Sequence, residues 1–256
     1  MTIDLAQQMT GPVWAFLVVF CRLASIIMLF PGIGEVYVQR RVRMLIALPL
    51  SLLFSVALAD KLPPMPNGTT AILGLLGSEI LVGIFFGTLL RVLMATLETT
   101  GSVISLLSGF SNAQIFNPAL ASVGTLPGAM LSITGVLLIF ITGLDHVLWR
   151  GVMGTYDVFQ PAGPLMFADM QQSMIQTVAR SFNLGVQLAA PFVVISVLIG
   201  LVMGIMAKLM PQLQIFTLAL PVQILSGLLL FAVIFSGIMM LWLERFGDDL
   251  RALQMV

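Results

Sequence analysis

Residues Ala71–Thr96 read AILGLLGSEILVGIFFGTLLRVLMAT. A helix needs roughly 17–25 predominantly apolar residues to cross a bilayer, and this stretch meets that length. Glu79, Gly83, Gly87 and Arg91 stand four apart within it. On a helix of about 3.6 residues per turn, steps of four drift only about 40° each, so all four share one face. Small residues at that spacing let helix backbones approach closely. The stretch therefore predicts a membrane-type helix with a tight packing seam.

The surrounding sequence has the same character. Of 256 residues, 59% are hydrophobic and only 9% charged, against about 25% charged in ordinary soluble domains. The mean hydropathy is +1.09. A soluble core would not absorb that much apolar surface. The formal net charge is zero, which argues against nucleic acid as a partner. Further apolar segments run from about Val13 to Phe30, Met44 to Ala59, Pro127 to Leu144, Gln176 to Met206 and Ile215 to Leu243. The expected class is all-α: about six apolar helices plus one broken, re-entrant segment, forming one unit over residues 1–256. The start of the chain carries Asp4 and no basic residue before Gly11. This is the wrong charge for a signal peptide, so the first apolar segment is expected to be retained.

Arg22 and Glu79 lie near the middle of their apolar segments. A lone charge at that depth costs about 2.5–3.5 kcal/mol on insertion scales, so each requires a protein or water partner. They form the obvious intrachain pair, read either as a buried structural contact or as part of an ion relay. A second set with the same spacing, Ser196, Gly200, Gly204 and Lys208, predicts a second packing seam.

Residues Ser105–Pro118 read SLLSGFSNAQIFNP. Gly109 and Asn117-Pro118 disfavour a continuous helix. Irregular backbone at membrane depth survives only inside protein or along an aqueous cavity. The segment is thus a candidate gate or plug. Leu106, Leu107, Phe110, Ile115 and Phe116 would obstruct, while Ser108, Ser111, Asn112 and Gln114 would face water. Gly109, Asn117 and Pro118 would set the backbone. An ordinary buried re-entrant turn is the other reading.

Catalytic signatures are missing. The one histidine, His146, sits beside Asp145 in what reads as a polar loop, and the one cysteine, Cys21, lies inside an apolar run. Neither has the companions a zinc site needs. The sequence contains no nucleophile elbow and no phosphate-binding loop. The expectation is a non-enzyme without cofactor or metal.

Several landmarks occur together: Arg22, Pro31, Arg40-Arg41-Val42-Arg43, Glu79-x-x-x-Gly83-x-x-x-Gly87, Gly101, Gly109, Asn117-Pro118, His146, Pro161-x-Gly163, Ala190-Pro191, Met210-Pro211-Gln212-Leu213-x-Ile215-Phe216 and Pro221. In these the sequence resembles the FliR family of flagellar biosynthesis proteins, whose injectisome counterpart is the SctT family. Two departures stand out. Ala207-Lys208 replaces the family's usual Asn-Arg, and Leu107 stands where Gln is common. The resemblance implies a subunit of a type III protein export gate in the bacterial inner membrane, at the flagellar basal body. Its helices would pair as hairpins with FliP-type, FliQ-type and FlhB-type subunits, surrounded by membrane lipid. Unfolded flagellar substrates would pass through the assembly. Lys208, Pro211 and Gln212 belong to the most specific of the shared motifs. The alternative from the residues alone is a secondary transporter with a midplane solute site, for which broken helices and a buried ion pair are suited.

Overall fold

A computed structural model of the chain describes residues 2–111, 124–209 and 215–254. Its elements are α1 (Thr2–Leu29), α2 (Arg40–Ala57), a 3-10 turn (Ala59–Lys61), α3 (Thr69–Leu107), α4 (Leu126–Ile141), α5 (Leu144–Val158), α6 (Phe167–Leu209) and α7 (Ile215–Gln254). Among the described residues there is no strand, and the protein is all-α. Four helices are long and apolar enough to cross a membrane: Gly11–Leu29, α3, α6 and Ala219–Ala252 of α7. A fifth span results if α4 and α5 are taken together. With three arginines in its first turn, α2 falls outside this group.

The helices run further than the apolar periodicity predicts. The apolar segment read as Ala71–Thr96 continues as α3 to Leu107. The polar residues in this stretch are satisfied internally: Thr99, Thr100 and Ser102 each donate their hydroxyl to the carbonyl four residues earlier. Such back-bonding hides a polar side chain within the helix itself. The helix ends where Gly109 takes a positive φ of 76°, the left-handed terminator for which glycine is suited. The expected polar loop around His146 is also absent. Gly143, at φ 73°, closes α4, and α5 begins immediately with Asp145 and His146 in its first turn. An acidic residue there complements the positive helix end.

The chain divides into two compact units. One comprises Met1–Val92, Leu144–Thr177 and Asp249–Val256. Its core forms around α1, whose Val18, Val19, Leu23, Ile26 and Ile27 are fully buried. Trp14 and Val18 cluster with Leu75 of α3, and the Trp14 indole N–H donates to the Pro63 carbonyl at 3.1 Å. Phe30 stacks on Trp149 of α5 with ring centroids 4.6 Å apart.

The other unit comprises Leu93–Gly143 and Val178–Asp248. Leu97, Ile104, Leu131, Ile139, Phe192 and Trp242 form its buried interior. Here α3 and α4 meet through glycine: a Cβ at Gly101 would fall 2.1 Å from the Gly128 Cα. Thr125 caps α4, accepting the Gly128 N–H on its hydroxyl at 3.2 Å.

Candidate functional site

The first unit contains a buried charge centre assembled by glycine contacts. Gly83 and Gly87 put α3 directly against α1. Added Cβ atoms there would lie 2.5 Å from the Arg22 carbonyl oxygen and 2.9 Å from Leu29 Cβ. This approach brings Glu79, one turn earlier on the same face, to Arg22. The pair is bidentate: Arg22 Nε donates to one Glu79 carboxylate oxygen at 2.6 Å and Nη2 to the other at 2.9 Å. Both residues are 1% exposed.

The remaining guanidinium donors go to the end of α5. Arg22 Nη1 donates to the Thr155 carbonyl at 3.0 Å and lies 3.4 Å from its hydroxyl, while Nη2 donates to the Phe159 carbonyl at 2.9 Å. The last carbonyls of a helix lack partners within it and carry partial negative charge, so a cation is well placed there. The Tyr156 ring covers the guanidinium, its centroid 4.0 Å from Cζ, in cation–π geometry. Arginine has five N–H donors in a planar fork. Here the carboxylate, the α5 terminus and the aromatic face engage that fork completely. Through this one side chain the contacts join α1, α3 and the end of α5.

A second set of contacts orders the bend that follows α1. Arg43 donates to the carbonyls of Glu35 and Val38 and reaches that of Met28. Arg91, the last member of the α3 spacing, pairs with Glu35 at 3.1 Å. Partial burial, and then the Glu35 carboxylate, push the Tyr37 phenol above its ordinary pKa, against the pull of Arg91. His146 Nδ1 lies 3.1 Å from the carboxylate of its neighbour Asp145. Among the described residues no three potential metal ligands cluster.

In the second unit the start of the candidate gate segment is firmly held. Ser108 and Gly109 are buried, Leu107 and Phe110 are half-buried, and Leu106 is exposed. The Leu107 carbonyl accepts a hydrogen bond from Gln223 Nε2 of α7 at 2.7 Å. Ser108 packs on Gly227 so closely that a Cβ there would lie 2.3 Å from Ser108 Cβ. Gln223 and Gly227 stand four apart on one face of α7 and together receive the end of α3. Neither belongs to the site predicted from sequence. The signal for Gln223 was present: a lone amide in an apolar helix must find a partner. Asn112, Gln114, Ile115, Phe116, Asn117, Pro118, Pro211 and Gln212 lie outside the described residues.

The second predicted seam has a different environment. Among the described residues, the helix's own backbone and the chain neighbours aside, no atom comes within 4 Å of a Cβ placed at Gly200 or Gly204, and Lys208 is exposed. The spacing puts these residues on one face, but among the described residues no helix meets it.

Comparison with known proteins agrees with this architecture. The model of the family described as bacterial export proteins, family 1, matches residues 13–248. The flagellar biosynthetic protein FliR of Caulobacter vibrioides is 34% identical over 236 residues, covering 92% of this chain and 94% of its own. That of Bacillus subtilis is 29% identical, with 88% and 87% covered. The secretion system apparatus protein SsaT of Salmonella typhimurium is 23% identical, with 90% of each chain covered. Both buried charges, both packed α3 glycines and the α7 residues that hold the end of α3 fall inside the matched region, and the chain belongs to family 1 of the bacterial export proteins.

Proposed function

We propose that the chain is a subunit of the flagellar type III protein export gate. It is a membrane-embedded component of the flagellar export apparatus, a role supported by its similarity to FliR proteins and to SsaT. In the finer reading, it lines part of the passage for unfolded flagellar substrates across the inner membrane. FliP-type and FliQ-type subunits, with a FlhB-type subunit, complete the assembly, and the chain acts as one export-gate module.

The observation that carries the hetero-oligomeric reading is the length of exposed apolar helix. On α6, Ile175, Phe182, Val194, Leu201 and Leu209 are all exposed. At 1.5 Å per residue, Ile175 to Leu209 spans about 51 Å, whereas a hydrocarbon core is about 30 Å thick. Even at a tilt of about 40°, the upper end seen for membrane helices, the stretch projects about 39 Å. Lipid tails leave the remainder uncovered, and water is a poor solvent for it. Neighbouring protein is the cover that fits. Gly200 and Gly204 lie within this stretch and would admit a closely packed helix from a neighbour. Lys208, followed by the Pro211-Gln212 motif, would mark the end of that contact.

Within this assembly Leu106–Pro118 acts as the gate, anchored at its start by Gln223 and Gly227. The Arg22–Glu79 pair maintains the helix arrangement rather than relaying ions. Co-expression with the FliP-type and FliQ-type subunits of the source bacterium tests the proposal. The expected result is recovery of this chain in a stable complex with both, and loss of flagellar protein export when its gene is deleted. Recovery as a stable homo-oligomer that accumulates a small solute, with export intact in the deletion strain, would favour the transporter reading.

A further inference from the structure

We infer that the bend between α1 and α2, from Val36 to Arg41, binds the headgroups of anionic phospholipids, with the leucine face of α2 lying against their acyl chains. The inference begins with the inverted character of α2. Its inner face is mostly small: Ala47, Ser51 and Ser55, four apart, are buried, with Phe54 the one bulky side chain buried beside them. The two hydroxyls are spent on backbone carbonyls of the same helix, Ser51 on Ala47 and Ser55 on Leu52. The aliphatic residues point the other way, with Leu45 66%, Leu53 64% and Val56 75% exposed. A helix that packs by small residues and displays leucines is built for an apolar surrounding.

The polar end of this face selects the kind of surrounding. Of the arginines near the bend, Arg43 is spent on backbone carbonyls and Arg91 on Glu35. Arg40 and Arg41 are exposed, and among the described residues no carboxylate pairs with them. Arg41 precedes Leu45, Leu48 and Leu52 on the same helical stripe, since steps of three and four stay on one side. Beside them Val36 is 93% and Tyr37 64% exposed. Aromatic and cationic groups at one level, followed by aliphatic side chains, match the order of a membrane from interface to hydrocarbon. At 18 residues, α2 is about 27 Å long, close to the hydrocarbon thickness.

The two ends of the α1–α2 hairpin differ in charge. Four arginines face one carboxylate, Glu35, at the bend. The opposite end carries Asp60 and Asp157 with Lys61, which pairs with Asp157. The cationic end is complementary to an anionic leaflet. An acidic protein surface would suit the two arginines, but it would not call for the continuous leucine face beneath them.

The full chain, with whatever subunits co-purify, provides the test. Cys21→Ser with Val36→Cys gives a single site for a fluorophore at the bend. The complex is reconstituted into phosphatidylcholine vesicles containing a minor fraction of phosphatidylglycerol, and either lipid is brominated high on the acyl chain at the same mole fraction. Brominated phosphatidylglycerol is expected to quench more strongly, reflecting local enrichment of about fivefold per arginine. Arg40→Gln with Arg41→Gln is expected to remove the difference. Native mass spectrometry of the unlabelled complex, with and without these two substitutions, provides a second measure through the retained phosphatidylglycerol. Equal quenching by the two lipids would overturn the anionic selectivity. Protection from both would show that a protein covers the bend and would overturn the lipid site altogether.

Discussion

Gly83 of α3 faces the backbone of Arg22 so closely that a methyl group there would lie 2.5 Å from the Arg22 carbonyl oxygen. The same helix contact sets the reach of Glu79 to the Arg22 side chain, so packing and ion pairing are one feature. Gly83→Ala is expected to push the helices apart at a cost of about 1–3 kcal/mol, the usual range for overpacking. Gly83→Leu should largely abolish assembly. Thermal unfolding of the purified complex and its yield measure both. Wild-type stability in Gly83→Ala would show that the seam is looser than the geometry implies.

The ion pair itself predicts an asymmetric response. Removing one partner of a buried pair typically costs about 3–5 kcal/mol, because the other charge is left uncompensated. Glu79→Leu strands the Arg22 charge, and Arg22→Ala strands the Glu79 carboxylate. Arg22→Ala also removes the side-chain donor to the Thr155 and Phe159 carbonyls, of which Thr155 keeps the Phe159 N–H, so it should be the more damaging. The double change Arg22→Met with Glu79→Leu should recover part of the loss, but not the α5 contacts. A double-mutant cycle on unfolding free energy measures the coupling. Additive effects would reject a direct interaction.

Gln223 and Gly227 predict a suppressor. Gly227→Ala places a Cβ 2.3 Å from Ser108 Cβ and should displace the end of α3, lowering export of flagellar protein. Ser108→Gly removes that Cβ and should restore function in the double variant. Gln223→Leu loses one hydrogen bond, worth about 1 kcal/mol, without steric conflict. Secretion assays on the three variants test this reasoning. Failure of Ser108→Gly to rescue would mean that Gly227 is required for something other than this contact.

The sequence made the charge centre legible because a charged side chain in an apolar span must find a partner, and Arg22 and Glu79 were the obvious candidates. It did not reveal Thr155 and Phe159, because both contribute backbone carbonyls to Arg22, and a carbonyl has no sequence signature. The extent of α3 was hidden for a related reason: threonine and serine read as helix-breaking until their hydroxyls are seen to bond back along the helix. Gly83 with Gly87 and Gly200 with Gly204 share one spacing but have opposite surroundings. Spacing fixes which face a residue occupies, whereas the neighbour is decided by the rest of the fold and by other chains.

The gate proposal yields the remaining prediction. Leu107 and Ser108 are tied to α7, and Gly109 closes α3 at a positive φ. A deletion that reaches them would disturb helix packing, so its phenotype would confuse gating with stability. Removing residues from Ser111 to Phe116 leaves that anchor untouched. It takes away Ile115 and Phe116, the apolar groups proposed to obstruct the passage, together with Asn112 and Gln114. A segment whose sequence disfavours a continuous helix would need shelter from lipid, which the proposed central passage would provide. The deletion complex should therefore assemble at normal yield and show more ion conductance in a planar bilayer than the wild-type complex. Subsequent Gln223→Leu in the deletion background should add little conductance, because the residues proposed to obstruct the passage are gone, although the Leu107 carbonyl loses its donor. An assembled deletion complex with wild-type conductance would establish the segment as a structural turn and remove it from the gate.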